Sequence, residues 1–590
     1  MSDDPTADDP AARVRAAAPA AAALLEELVR QPALMAALPD DLRRRLNIAA
    51  GQLSRPDRYL RKAVRKGLDR RARQEVKAAD AAVLDGTGIR ALRRLPLFTS
   101  LGAVPSLPPP AELDDPALAG DDEAWTALEA ERDDAERVLA TDDDDDGADD
   151  GGDGAATGAA LIAAGGPGGP GGDTAIARLH RPRNCYVCKR DFHELHPFYD
   201  AMCGDCAELN WRKRNQTVDL SGRVALVTGA RVKIGAQIAL KLLRAGAETI
   251  ILTRFPVDAA RRLAAEPDAD ELCRRAHVFG CDLRHTPSVE ALCRHLLGGL
   301  RRLDVLVNNA CQTVRRPSGF YDHLLAGEAA TWAELPARER AVLARWFAVR
   351  GEGGASPSAS AHAPSAAAHL GDGAVVGDHA LTAAAAPGGL WHSAILSQVP
   401  LLAEDLERGN HLFPAGRLDA DLQQVDLRDF NSWRMTLADV PTAELLEVHL
   451  VNAVAPFVLN ARLKPLLAAV PTRDAHVVNV SAMEGQFYRR FKTDKHPHTN
   501  MAKAALNMLT RTAAADYVRD GIHMYAVDTG WVTDEDPATI AARKVAVHGF
   551  HPPLDIVDGA ARVLDPVFDG HATGRHAWGL FLKDYKPTPW

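Results

Sequence analysis

A chain of 590 residues is longer than one domain requires, and a hydrophobic share of 46% supports at least one large core. Its formal net charge of −10 argues against a general nucleic-acid binder. The acidic start, MSDDPTADDP, lacks the basic-then-apolar order of an export signal, and no apolar run in the sequence approaches the roughly eighteen residues of a membrane span. The expectation is a soluble cytoplasmic protein.

In chain order, residues 1–132 read as a helical N-terminal region. Leu24, Leu25 and Leu28, then Leu42, Leu46, Leu60, Val64 and Leu68, recur at helical spacings, and Asp40 or Asp41 can cap a helix. Basic residues crowd this stretch, among them Arg43, Arg44, Arg45, Arg61, Lys62, Arg65 and Lys66. They suit the solvated face of a bundle or an acidic partner. Residues 133–173 carry the Asp142–Asp146 tract and GGPGGPGGD, a composition that cannot bury a core and predicts a disordered linker.

Residues 174–218 hold two cysteine pairs, Cys185-x-x-Cys188 and Cys203-x-x-Cys206, separated by fourteen residues. Each pair makes a tight knuckle, and two knuckles supply four thiolates for one tetrahedral Zn2+. A closed four-sulfur shell leaves no open position, so a structural metal is expected. Two disulfides are disfavoured without an export signal. His193 and His196 are spare ligands, and Phe192, Phe198 and Tyr199 suit a small core. The remaining cysteines read as small buried hydrophobes, with Cys311 a conceivable exception.

From residue 219 the pattern changes. Val224–Val227 is a short apolar run that enters the turn Thr228-Gly229-Ala230-Arg231-Val232-Lys233-Ile234-Gly235, and a largely apolar stretch follows. The order is strand, glycine turn, helix. A helix start presents unpaired N–H groups and a positive dipole end, which suits a pyrophosphate. Gly229 lets the chain reverse and Gly235 lets helix and strand approach.

The turn resembles the TGxxxGxG fingerprint of the short-chain dehydrogenase/reductase family, with Lys233 at the middle glycine. The rest of that family's pattern follows in order. Asp282-Leu283 resembles its adenine-binding pair. Asn308-Asn309-Ala310 resembles its NNAG motif, with Cys311 for the glycine. Asn452 matches the asparagine that holds a relay water, Ser481 the catalytic serine and Lys503 the lysine of YxxxK. Thr529-Gly530-Trp531-Val532-Thr533 resembles its PGxVxT turn. The resemblance implies an α/β fold with a Rossmann-like, doubly wound parallel sheet over residues 219–590, preceded by the zinc-ribbon-like module and the helical region. It also implies pairing into a homodimer or tetramer.

The second strand, TIILTR, ends in Thr253 and Arg254 with no carboxylate for a ribose 2′-OH. Arg254, Arg231 and Lys233 can instead face a 2′-phosphate, so NADP(H) is the expected cofactor. The plain alternative is solvated surface charge. Resemblance places Thr228, Gly229, Ile234, Gly235, Asn308, Asn309, Ala310, Lys503 and Thr533 around the same cofactor.

The family's acid is a tyrosine four residues before the lysine, and here that position is Thr499. A phenol with an ordinary pKa of about 10 can be brought toward neutrality by a lysine, whereas a threonine hydroxyl cannot donate at neutral pH. Replacement donors are Tyr488, seven residues after Ser481, then His496 and His498, with Glu484 a weaker choice. Each also reads as an ordinary loop residue. Asn309 and Asn452 lie 143 residues apart, which leaves an insert at about 313–440. Its centre, 351–389, has a disorder-prone composition, and its flanks are expected to reshape the pocket. Three readings stay open: an NADP(H)-dependent oxidoreductase acting on a carbonyl/alcohol or an activated double bond, a silent NADP(H) sensor, and a zinc-ribbon binding module for nucleic acid or protein.

Overall fold

The computed structural model of the chain describes residues 10–94, 177–351, 392–407, 409–419, 423–487, 492–548 and 551–590. The 133–173 linker, the greater part of 351–389, and Tyr488 lie outside the described residues.

Helices α1 (Pro10–Arg30), α2 (Asp40–Ser54) and α3 (Arg58–Asp85) open the chain. Asp57 caps α3 by accepting from the Leu60 amide at 2.7 Å. Their apolar residues, among them Leu24, Leu53, Val64 and Leu68, remain exposed. The end of α3 and the short α4 (Gly88–Arg94) do pack. Asp80 accepts from the His180 amide, and Ile89 is fully buried among aromatic residues of the cysteine-rich segment. That segment is an antiparallel ribbon, β1 (Arg178–Asn184) and β2 (Asp191–Glu194), followed by α5 (Gly204–Arg214).

The main body is an eight-stranded sheet in the order β10-β9-β8-β7-β6-β3-β4-β5. Its strands are β3 (Val224–Thr228), β4 (Glu248–Thr253), β5 (Ala276–Gly280), β6 (Val305–Asn308), β7 (Ala475–Ser481), β8 (Ile522–Asp528), β9 (Phe581–Lys583) and β10 (Lys586–Thr588). All pairings are parallel except β9–β10. Strands such as VALVT and VVNVS are apolar at nearly every position because helices cover both faces. The order reverses beside β3, between β6 and β4. That reversal opens a crevice at the carboxyl ends of the strands. The α/β, doubly wound fold expected from the sequence is the fold observed.

Helix α6 (Lys233–Arg244) follows β3 and buries Ile238, Ala239, Leu242 and Leu243. From the insert, α7 (Ala337–Val349) packs along β5 and buries Val342, Leu343, Trp346 and Phe347. It therefore covers the edge of the sheet, whereas the later flank reaches the crevice.

Helices α8 (Thr442–His449) and α9 (Ala455–Ala468) run on through a π-turn at Leu450–Val454. The continuous stretch Thr442–Ala468, which holds an 18-residue window of mean hydropathy 1.3, is long and apolar enough to cross a membrane by length and composition. This corrects the expectation that no segment comes near that length. His449, Asn452 and Asn460 interrupt the apolar run in the sequence but not the helix. Leu459, Leu463, Leu466 and Leu467 are buried against the sheet and its neighbouring helix, as in a core helix. Helices α10 (Pro497–Tyr517) and α11 (Ile556–Thr573) complete the layers.

Candidate active site

The turn after β3 is held by its neighbours on every side. Gly229 has φ +66°, and a β-carbon there would lie 2.8 Å from the Ala310 Cα. Lys233, at the family's middle glycine, also sits in the left-handed region at φ +54°. The Thr228 hydroxyl accepts from the amides of Asn309 (3.0 Å) and Ala310 (2.9 Å), and the Asn309 side chain donates to the Thr228 carbonyl (3.0 Å). The NNA segment therefore clips the turn to the end of β6. Asn308 points the other way, donating to Asn460 and Asn479 at 2.8 Å within the buried core.

Across the crevice, Ser481 ends β7 in register with Asp528 at the end of β8. The Ser481 and Thr499 hydroxyls are buried and have no hydrogen-bond partner among the described residues. Lys503, one turn along α10 from Thr499, is also buried, and its Nζ donates to the Val480 carbonyl at 2.8 Å. Gly485 makes this approach feasible, since a β-carbon there would lie 2.7 Å from the Lys503 backbone. The Lys503 contact thus falls on the residue before Ser481, and Thr499 lies four residues before that lysine on the same helix.

The Asn452 side chain is a clamp. Its Oδ1 accepts from the Gln312 amide (2.8 Å) and its Nδ2 donates to the Gln312 carbonyl (3.3 Å), which pins the loop after β6 to the π-turn. Asp282 is held by Arg284, whose Nη2 donates at 2.7 Å; burial works to raise the carboxyl, but Arg284 and Arg254 outweigh it and hold it below its ordinary range. Leu283 is buried beside it. Arg284 also reaches Glu447 (2.5 Å), and Glu447 accepts from Arg315 (2.6 Å), which pairs with Asp405 of the insert at 2.6 Å. A charged chain thus ties the segment after β5 to the insert.

Arg231 and Arg254 fare differently. Arg231 is buried and paired with Asp258 at 2.7 Å. Burial favours the neutral form of Asp258, but Arg231 and Arg262 hold its carboxyl low. The Arg254 guanidinium lies over the Tyr321 ring, 4.7 Å from its centroid, and donates to its hydroxyl at 2.6 Å. It is half-buried, and no carboxylate among the described residues pairs with it directly. Thr533 donates to Glu535 at 2.7 Å, and Glu535 is held low against burial by Lys233 and that hydroxyl.

His496 has φ +41° and stacks on Trp433 at 3.9 Å, so the insert holds it; burial lowers its basicity. His498 is buried with its Nε2 3.4 Å from Glu444, without hydrogen-bond alignment. Burial, then the charge of Glu484, raises the Asp528 carboxyl. Sequence reading missed Asp258, Arg284, Glu444, Glu447, Asp528 and Glu535. Asp258 lies four residues before Arg262 on one helical face, Arg284 two residues after Asp282 and Glu535 two after Thr533, so these three left local traces. The contacts of Glu444, Glu447 and Asp528 are assembled from distant segments.

At the second site the four sulfurs of Cys185, Cys188, Cys203 and Cys206 lie within 4.8 Å of one another, and all four cysteines are free. The Cys188–Cys203 sulfur separation is 3.6 Å, well beyond a disulfide of about 2.05 Å. It is close to the edge of about 3.8 Å that Zn–S bonds of about 2.3 Å give a tetrahedron. The Cys203 amide points at the Cys185 sulfur at 3.3 Å, a contact that orients a ligating thiolate. The donor set fits a zinc ion. His193 and His196 hydrogen-bond to backbone atoms instead.

Two family models match the chain: "short chain dehydrogenase" over residues 223–324 and "Enoyl-(Acyl carrier protein) reductase" over 417–550. An uncharacterized protein of Acanthamoeba polyphaga mimivirus is 29% identical over 397 residues, covering 65% of this chain and 71% of that protein. A fatty acyl-CoA reductase of Acinetobacter baylyi is 31% identical over 98 residues, covering 17% of this chain; the chain spans 32% of its length. Among solved structures, the Pseudomonas aeruginosa RhlG/NADP active-site complex aligns with 62% of this chain and 95% of that one, at 19% identity and a TM-score of 0.35.

Proposed function

Because the sheet-bearing unit of this chain belongs to the short-chain dehydrogenase/reductase family, we propose that it is an NADP(H)-dependent oxidoreductase acting on a carbonyl/alcohol or an activated double bond. The observation that carries this reading is the cluster of unpaired, buried Ser481 and Thr499 hydroxyls beside Lys503. A pure sensor has no use for two hydroxyls aimed at nothing.

The phosphorylated nicotinamide nucleotide, when bound, supplies the hydride. The turn Thr228–Gly235 and the start of α6 hold its diphosphate, with Asn309 and Ala310 fixing the turn. Arg254 holds the 2′-phosphate, because Arg231 is already neutralised by Asp258. Thr533 lies on the loop facing Lys233. Ser481 and Thr499 donate to the substrate oxygen as negative charge grows there, and Lys503 supplies a positive field. Asn452 keeps the loop after β6 in place. A proton must reach that oxygen, and Thr499 is too weak an acid to give it. We assign that proton to Tyr488, which follows Ser481 by seven residues in the sequence and lies outside the described residues. Zn2+ in the four-cysteine site is structural and takes no part in the chemistry.

Exposed Leu446, Val454 and Phe457 on the helix carrying Asn452, with Met501 and Met508 on the helix carrying Lys503, support pairing of two copies through these helices. A second reading, an NADP(H) sensor without turnover, draws on Thr499 at the acid position.

NADPH oxidation against a carbonyl panel tests the assignment with wild type, Tyr488→Phe and Lys503→Ala. Turnover is expected to fall about a hundredfold in Tyr488→Phe with NADPH affinity unchanged. Equal turnover would remove Tyr488 from the mechanism. Wild type that binds NADPH but turns over no carbonyl would favour the sensor.

A further inference from the structure

The cysteine-rich ribbon does more than sit beside the dehydrogenase unit. Tyr186, the second residue of the first knuckle, reaches out of the ribbon and accepts the Trp531 amide at 2.9 Å. The fit is close. Gly530 has φ +76°, and a β-carbon there would lie 3.1 Å from the Tyr186 hydroxyl.

Inside the ribbon, the Tyr186 amide donates to the Ala201 carbonyl at 2.8 Å, two residues before Cys203. Tyr186 is therefore held between the two knuckles, and a shared metal ion is what holds the knuckles together. On the far side, Val532 and Ile234 share one apolar cluster with Cys185, Cys203 and Phe198. Ile234 belongs to the turn after β3. The ribbon, the Thr529–Thr533 loop and that turn are one continuous packed body.

We propose that Tyr186 is a positioning residue that couples metal occupancy of the four-cysteine site to the placement of the Thr529–Thr533 loop, and through it to NADP(H) affinity. The inference rests on the cofactor reading above. Coupling of this kind is reciprocal, so cofactor binding retains the metal as metal binding retains the cofactor. Tyr186→Phe removes only the hydroxyl and keeps the ring in its packing.

Hydrogen exchange at Trp531 and NADPH affinity, measured on the full chain, test it. Tyr186→Phe is expected to keep its full zinc content, to exchange three- to tenfold faster at Trp531, roughly the worth of one hydrogen bond, and to bind NADPH more weakly by a similar factor. Wild type stripped with a chelator should show the same two changes, and added Zn2+ should reverse them there but not in Tyr186→Phe. Unchanged Trp531 exchange in Tyr186→Phe, while wild type binds NADPH, overturns the inference alone. Wild type that takes up no NADPH overturns the cofactor reading and this coupling together.

Discussion

Gly235 and Asn309 approach so closely that a β-carbon on Gly235 would lie 2.5 Å from the Asn309 side-chain nitrogen and 2.3 Å from the Gly229 carbonyl oxygen. The backbone oxygen cannot yield as a flexible side chain would. Gly235→Ala must therefore push the start of α6 away from the turn or break the Asn309 clip. The expected result is at least a tenfold loss of NADPH affinity, with a stability cost of about 1–3 kcal/mol. Nicotinamide fluorescence and a thermal melt measure both, and wild-type affinity would show that the turn does not grip the cofactor.

The two arginines should separate on mutation. Arg231 is already paired with Asp258, whereas Arg254 rests on Tyr321 with no direct carboxylate partner among the described residues. Arg254→Ala is expected to cut the preference for NADPH over NADH by roughly ten- to a hundredfold, the worth of a charge-assisted hydrogen bond. Arg231→Ala should change preference less and stability more, because it leaves Asp258 buried beside Arg262 alone. Paired titrations with the two nucleotides decide the order.

Thr499→Val keeps the volume and removes a buried hydroxyl that has no partner among the described residues. Its loss should leave the melting temperature unchanged or slightly raised. If the hydroxyl serves substrate, KM or kcat must nonetheless suffer by about tenfold. A variant with unchanged kinetics would make Thr499 a bystander to the substrate oxygen.

At the opposite end of β7 and β8, His476, His523, His571 and His576 gather beside Asp474, Arg223 and Tyr525. The His476 and His576 rings meet at 3.0 Å. Burial lowers all four basicities, that of His571 to about 4. A histidine whose folded pKa is depressed binds fewer protons folded than unfolded. Its contribution is complete above the ordinary value of about 6.5 and is lost as pH falls toward the folded value. Melting temperature should therefore fall between pH 6.5 and about 4. His571→Asn should flatten that fall. Parallel pH profiles of the two proteins would expose the cluster as inert.

Strands β3 to β7 were readable in the sequence because each is a short apolar run bounded by turn signals, and burial on both faces demands such runs, whereas β10, Lys-Pro-Thr at the exposed edge, left no such signal. The Gly229 turn and the cysteine knuckles were readable for a related reason. Each works through residues that are neighbours in the chain, where spacing alone brings backbone amides or thiolates together. The missed contacts have the opposite character. Glu447 meets Arg284 across 163 positions, and Tyr186 meets Trp531 across 345. No periodicity records such pairs.

What the sequence determined by itself was therefore the local chemistry: a glycine turn between strand and helix, a four-cysteine set, and a serine and lysine with the intervening acid missing. The tertiary structure decided which charges remain available. It neutralised Arg231 and left Arg254, occupied Asp282, and left the Ser481 and Thr499 hydroxyls open. Availability depends on who else reaches the same atom, and that is settled only when distant segments compete for it in a packed interior.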